Sequence, residues 1–302
     1  MPFKVALLEN IHASAMAHFN RAGFGEVKTF NGALEGEELI HALQDVQILG
    51  IRSKTRLTKQ VLESAPQLLA IGCFCIGTDQ VDLDYAESRG MVVFNAPYAN
   101  TRSVAELVLG EIIMLMRRIP AKDKAAHRGE WLKAVDGATE VRGKTLGIVG
   151  YGHIGTQLSV LAENFGMRIV FYDVLDKLAL GNARKCHSLD ELLAQSDIVS
   201  LHVPNTPQTK MMIKAAEMQR MKKGAMLINA SRGKVVDLEA LADALNAGYL
   251  SGAAIDVFPV EPANNGEMLE TPLRGLANVI LTPHIGGSTL EAQENIAGEV
   301  AD

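Results

Sequence analysis

TLGIVGYGHIGTQL, residues Thr145 to Leu158, is the stretch from which the rest of the chain is read. It opens as a short apolar run, turns on glycines at 150, 152 and 155, and continues into an expected helix. G-x-G-x-x-G alone is a weak pattern, but placed between a strand and a helix it is a strong one. Gly150 permits the tight turn, Gly152 lets the backbone approach a pyrophosphate, and Gly155 lets the helix pack close to the strand. The helix start then offers N–H groups and a positive dipole end to the phosphates. The following run, RIVFYD, ends in Asp173, eighteen residues past Gly155. A carboxylate there accepts hydrogen bonds from the adenosine ribose hydroxyls and repels a 2′-phosphate, so NAD is favoured over NADP.

Working outward, similar apolar runs alternate with helix-like stretches almost throughout. VALLE, VQILGI, LLAIGCFC and MVVFNA come before the glycines, and IVSLHV, AMLINA, GAAIDVF and NVILTPH after RIVFYD. ELLAQS and LEALADALNAG are amphipathic; Asp237 stands at the N-cap of the latter and Gly248 at its C-terminal stop. Near-continuous apolar strands separated by helices imply parallel sheets covered on both faces. The expected class is α/β: two Rossmann-like doubly wound parallel-sheet domains with an active-site cleft between them. Pro97 breaks a strand, and Thr101 or Ser103 is expected to cap a long helix from about Ser103 to Arg118. That helix is apolar on more than one face, so it is expected to be buried, with a partner subunit as one cover. A loop through HRGEWLKAVDGATEVRG should follow it. The expected domains are residues 1–98, completed by 284–302, for substrate, and residues 99–283 for NAD.

Composition sets the outer limits. The chain has 302 residues, 48% apolar and 21% charged, ordinary for a globular protein and against disorder. A net charge of -6 with scattered basic residues excludes a general nucleic-acid binder. No apolar stretch reaches the roughly 18 residues that span a bilayer. The opening MPFKVALLENIHAS lacks a signal-peptide pattern because Glu9 interrupts its apolar run. Cys73, Cys75 and Cys186 are an odd, sparse set, read as core thiols of a cytoplasmic protein, and no metal site is expected.

Three polar groups follow later strands. Arg232 comes after AMLINAS, Glu261 after GAAIDVFPV and His284 after NVILTP. The carboxyl ends of strands in a doubly wound sheet line the ligand crevice, so all three should face one edge. Their types suit hydride transfer between a secondary alcohol and a ketone. Histidine, with an ordinary pKa near ~6.5, is the natural acceptor of the alcohol proton. Glu261 would hold one tautomer and favour imidazolium. Arg232 is always protonated and serves as a clamp for a carboxylate and a developing oxyanion. His41, His127 and His187 have no such setting and are read as surface or structural residues.

NTRSVAELVLGEI, GKTLGIVGYGHIGTQL, SLHVPNTPQTK, LINASRGKVVD, GAAIDVFPVEP and LTPHIGGST resemble the D-isomer-specific 2-hydroxyacid dehydrogenase family over nearly the whole chain. The resemblance implies a catalytic set at Arg232, Glu261 and His284. It implies cofactor contacts at Gly150, Gly152, His153, Ile154, Gly155, Asp173, His202, Val203, Pro204, Ala230, Ser231, Arg232, Asp256, His284, Ile285, Gly286 and Gly287. Asp256 would hold the nicotinamide carboxamide. Substrate contacts are implied at Arg52, Ser53, Gly77 and Asn100, with Arg232 and His284; Lys54 and Lys133 are weaker candidates for an anionic end.

IRSKT, GTDQVDLDYA, AHRGEW and IGGSTLEAQENIAGEV carry a closer likeness to bacterial members that oxidise D-3-phosphoglycerate with NAD to 3-phosphohydroxypyruvate, the first step of L-serine biosynthesis. Family habit also implies a homodimer or homotetramer, and closure of the cleft over substrate is expected to exclude water. Such members often continue into a serine-binding regulatory domain. This sequence ends at Asp302 within an expected helix, so a trimmed or short form is expected. Two other readings stay open: a dehydrogenase or reductase for another 2-hydroxy or 2-oxo acid, such as 2-oxoglutarate, and a non-catalytic NAD(H) sensor resembling a corepressor.

Overall fold

Four-residue apolar strands need cover on both faces, and helices inserted between successive strands supply it. The computed structural model describes residues 3–262 and 266–302. It divides into two compact units: Met1–Asn100 with Gly287–Asp302, and Thr101–Gly286.

The first unit runs β1 (Lys4–Leu7), α1 (Ala13–Arg21), β2 (Glu26–Thr29), α2 (Gly36–Leu43), β3 (Ile48–Ile51), α3 (Lys59–Glu63), β4 (Ala70–Cys73), α4 (Leu83–Ser88) and β5 (Val92–Asn95). The last helix, α11 (Leu290–Ala301), returns to it. Its five strands are parallel in the order β2-β1-β3-β4-β5. Alternation of side chains sorts the core. Val5 and Leu7 pack with Phe19 of α1 and Ile296 of α11, whereas Ala6, Leu49 and Ile51 pack with Leu39, Leu43 and Leu62 of α2 and α3.

The second unit begins with α5 (Thr101–Met116) and α6 (Ile119–His127). It continues through β6 (Thr145–Val149), α7 (His153–Asn164), β7 (Arg168–Tyr172), β8 (Arg184–Lys185), α8 (Leu189–Gln195), β9 (Ile198–Leu201), α9 (Ala215–Arg220), β10 (Met226–Asn229), α10 (Leu238–Asn246), β11 (Gly252–Ile255) and β12 (Val279–Leu281). The sheet order is β12-β11-β10-β9-β6-β7-β8, all parallel. β6 thus lies between the strand that follows it and a strand two crossovers later, which makes the β6/β9 boundary the switch point of this sheet. One face packs Val199, Leu227 and Ile255 with α8 and α10, and the other packs Ile148, Phe171 and Ile228 with α5 and α7.

Asp237 caps α10 by accepting from Ala240 N–H at 3.1 Å, and Gly248 takes the left-handed stop at φ 66°. The long helix corrects the reading above. It starts at Thr101, so Thr101 and Ser103 lie in its first turn and not at the cap. It ends at Met116 because Arg118 turns left-handed, at φ 53°, and stands at the N-cap of α6. Val104, Val108, Leu109, Ile112, Leu115 and Met116 are buried within the chain itself, whereas Leu107, Ile113 and Met114 are half-buried. Cys73 and Cys186 are buried, and burial pushes their thiols up to about 12 and about 11; Cys75 is half-buried. Among the described residues no helix is long and apolar enough to cross a membrane.

Candidate active site

Register builds the site in the second unit. Tyr172 pairs with Val149, Val149 with Leu201, Leu201 with Asn229, Asn229 with Ile255 and Ile255 with Leu281. Six strands therefore end on one row. The residues that follow the row are Asp173, Gly150, His202, Ala230, Asp256 and Thr282. Parallel pairing sets all of these at the carboxyl edge, where an open α/β sheet binds ligands.

At the switch point, Gly150 has φ 91°, and a Cβ on it would stand 2.3 Å from His202 O. A Cβ on Gly155 would stand 2.3 Å from Gly150 O, so α7 packs directly on the turn. Gly152 differs: beyond its own chain neighbours, no atom of the described residues lies within 4 Å of where its Cβ would be. It stands at the N-cap of the twelve-residue α7 and makes no side-chain cap bond. An open, uncapped helix start fits a pyrophosphate. Asp173 accepts from Tyr151 N–H at 2.8 Å and from Leu175 N–H at 2.9 Å, one bond on each oxygen. It thus braces the glycine turn while each oxygen keeps a lone pair for a ribose hydroxyl. His202 lies 2.9 Å from Ser200 Oγ through Nε2, and its buried Nδ1 has no partner among the described residues. Burial pushes its pKa down to about 4, so it meets this edge as a neutral ring. These features fit a bound dinucleotide, with Gly152, His153 and Ile154 toward its phosphates and Asp173 toward its ribose.

The chemical end lies along β10, β11 and β12. Asn229, fully buried, accepts from Ser231 N–H at 3.1 Å and Ser231 Oγ–H at 2.7 Å, and donates to Arg232 O at 3.0 Å. That side-chain turn presents Arg232, whose Nη1 donates to Ser231 O at 2.8 Å. Gly233 then allows a very close approach: a Cβ there would sit 2.0 Å from Phe258 C and 2.5 Å from Pro259 N. The Arg232 turn is thereby pressed against the segment that leads to Glu261.

Glu261 accepts from Phe258 N–H at 3.1 Å with one oxygen and meets His284 Nδ1 at 2.8 Å with the other. Both side chains are partly open, His284 44% and Glu261 36% exposed. The hydrogen bond to Glu261 raises the pKa of His284; partial desolvation opposes it, the charges of Glu261 and Asp256 add to it, and Arg232 subtracts. Desolvation pulls Glu261 upward, but the His284 bond and charge, the Phe258 N–H and Arg232 together lower it. Glu261 is therefore the anionic acceptor, the proton between the two sits on Nδ1, and Nε2 of neutral His284 is left as a base.

His284 takes a left-handed backbone, φ 54°, which a non-glycine residue adopts only under constraint. Asp256, 1% exposed, supplies the constraint. Its carboxylate accepts from Thr282 Oγ–H at 2.6 Å, Ile285 N–H at 2.8 Å and Gly286 N–H at 2.9 Å. Below it, Glu111 of α5 is fully buried, and among the described residues neither oxygen has a partner at hydrogen-bonding geometry, with the Thr282 hydroxyl near enough only to offset part of its upward shift. Burial and the charge of Asp256 push Glu111 up to about 8, which keeps it largely neutral at pH 7.

The carboxyl edge thus gathers all the expected residues from Gly150 to Gly286. Arg52, Ser53, Gly77, Asn100 and Gly287 belong to the first unit. Gly287 lies against Asn100, whose Nδ2 would be 2.6 Å from a Cβ at that position. Lys54 and Lys133 are exposed. Sequence reasoning missed Asn229, Gly233 and Glu111. An Asn at a strand end two residues before a Ser is a turn signal that was open to view; a lone Glu in an apolar helix carries no such signal.

A dinucleotide edge joined to an Arg–Glu–His cluster defines a class, and comparison with known proteins agrees. The family model described as D-isomer specific 2-hydroxyacid dehydrogenase, NAD binding domain, matches residues 109–286. The chain belongs to this family of NAD-dependent dehydrogenases. Within it, the chain is 57% identical over 298 residues to D-3-phosphoglycerate dehydrogenase of Haemophilus influenzae, covering 99% of this chain and 73% of that one. It is 55% identical to the Escherichia coli enzyme of the same name over the same shares. A solved structure of D-lactate dehydrogenase from Aquifex aeolicus, complexed with NAD and lactic acid, superposes with a TM-score of 0.87 at 30% identity, covering 99% of this chain and 93% of that one.

Proposed function

We propose that the chain oxidises D-3-phosphoglycerate with NAD to 3-phosphohydroxypyruvate, the first step of L-serine biosynthesis. The observation that carries the chemistry is the 2.8 Å His284–Glu261 bond beside the Arg232 turn. The substrate is supported by the two curated relatives above.

His284 Nε2 takes the alcohol proton while Glu261 holds Nδ1–H and stabilises the imidazolium that forms. Arg232 clamps the substrate carboxylate and the alcohol oxygen as it becomes a ketone. Asp256 holds the Thr282 hydroxyl before His284 and the Ile285 and Gly286 backbone after it. NAD held by the glycine turn at Gly150, Gly152 and Gly155 and by Asp173 would supply the acceptor for the hydride that leaves carbon 2. Arg52, Ser53, Gly77 and Asn100 are the first unit's contacts to substrate, and Arg52 is the cation for its second anionic end. Within this reading the enzyme acts in the cytoplasm as a homo-oligomer. The small, odd number of cysteines and the exposed apolar Trp131 and Val135, 86% and 80% open, support that part.

The test is a steady-state panel with NAD across phosphorylated and plain 2-hydroxy acids, read by NADH absorbance. D-3-phosphoglycerate should give the highest kcat/KM, by about tenfold or more over its unphosphorylated analogue. Indifference to the phosphate would refute the substrate, and NADH binding without turnover of any acid would favour a sensor.

A further inference from the structure

The smaller sheet has a switch point of its own. In the order β2-β1-β3-β4-β5 the direction of winding changes between β1 and β3. Leaving β1 the chain reaches Glu9, and leaving β3 it reaches Arg52. Glu9 is only 8% exposed, and Glu9 and Asn10 are both left-handed, at φ 60° and 51°. Backbone bonds from Glu9 N–H to Gly32 O at 2.9 Å and from Asn10 N–H to Phe30 O at 3.0 Å hold that turn. The turn aims the Glu9 carboxylate under the Arg52–Thr55 loop. One oxygen accepts from Arg52 N–H at 3.1 Å and Thr55 N–H at 2.8 Å; the other accepts from Lys54 N–H at 3.0 Å. The same loop is gripped from the other side. Gln80, 9% exposed, donates through Nε2 to Arg52 O at 2.8 Å and to Gly77 O at 3.2 Å.

A carboxylate beneath a loop bearing Arg52, Lys54 and Arg56 lowers the loop's attraction for anions. Its presence therefore needs a reason other than charge, and three backbone N–H groups converging on one side chain supply it. Without Glu9 the loop would lose the acceptor its three N–H groups share, and the buried Thr55 N–H would be left unpaired.

We propose that Glu9 is a positioning residue. It holds the Arg52–Thr55 loop in the shape that receives the anionic end of the substrate, and Gln80 ties the Gly77 loop to it. This rests on the reading of Arg52 as a substrate contact.

The test is a double-mutant cycle of Glu9→Gln and Arg52→Ala in the full chain, with D-3-phosphoglycerate and NAD. The glutamine keeps the size of the side chain but turns an N–H₂ group toward the loop's donors. Glu9→Gln should raise KM about tenfold with kcat changed less than about threefold and NADH Kd unchanged. In the Arg52→Ala background it should add less than about a further twofold. A lower KM in Glu9→Gln would mean that Glu9 acts only through its charge, and additive effects in the cycle would mean a merely structural role; either overturns the proposal. If Arg52→Ala alone leaves KM unchanged, the substrate contact fails and the proposal with it. If Arg52→Ala raises KM and Glu9→Gln does not, the proposal alone fails. Should Glu9→Gln not fold, Gln80→Leu takes its place: a KM several-fold higher at constant NADH Kd supports the tie, and an unchanged KM refutes it.

Discussion

The two sheets share an architecture and hold their carboxyl edges in different ways. In the larger sheet the loops are set by close approach. Gly150, Gly155 and Gly233 each bring backbone within a distance that a Cβ would forbid. In the smaller sheet the loop after β3 is set by a tether, the Glu9 carboxylate with its three N–H partners. Close approach fixes position to tenths of an ångström, which suits groups that share a proton. A tether fixes the shape of a loop while its side chains stay at the surface, which suits groups that only receive a charge. The larger sheet does contain a tether of the second kind, Asp256, and it sits where the chain turns left-handed at His284.

The comparison predicts a graded response. Replacing the reacting group should have the largest effect. His284→Ala should lower kcat by about 10²- to 10⁴-fold with NADH Kd unchanged, measured by steady-state turnover and fluorescence titration. Breaking a close approach comes next. Gly233→Ala pushes a methyl into the Phe258–Pro259 backbone and should cost about 1–3 kcal/mol of stability, seen as a lowered Tm. The shift of Arg232 against Glu261 should also reduce kcat/KM by about 10²-fold. If Gly233→Ala is silent in both, the larger edge is not held by close approach. Loosening the tether should matter least, the tenfold rise in KM set out above for Glu9→Gln. A larger loss there than at Gly233 would reverse the contrast.

Much of this was legible in the sequence, for physical reasons. Parallel strands covered on both faces are near-continuous apolar runs, as in β6 and β9 to β11, and apolar runs also marked β1, β3, β4, β7 and the more open edge strands β5 and β12. The missed strands are edge strands. β2 reads EVKT and β8 only RK, because an edge has one fewer neighbour and tolerates charge. The glycine turn, Asp173 and the ends of β10 to β12 were readable because each group follows a strand end. Asn229 and Gly233 were in view within INASRG but were not separated from Arg232. Glu9 was read only as a break in an apolar run. Its partners lie forty-three to forty-six residues away, and no local pattern joins them. Glu111 was hidden for the opposite reason: a carboxyl in a helix gives no sign that the sheet above will bury it.

The central claim is that Glu261, bonded to Nδ1, tunes His284 as the proton acceptor. Its most direct test is the pH dependence of kcat/KM in both directions for the wild type and Glu261→Gln. Oxidation needs neutral His284, so its rate should fall as pH drops through the His284 pKa, which Glu261 holds above the ordinary ~6.5. Reduction needs the imidazolium and should fall as pH rises through the same value. In Glu261→Gln both limbs should move together to lower pH. Limbs that stay where they are in the variant, in either direction, would contradict the account.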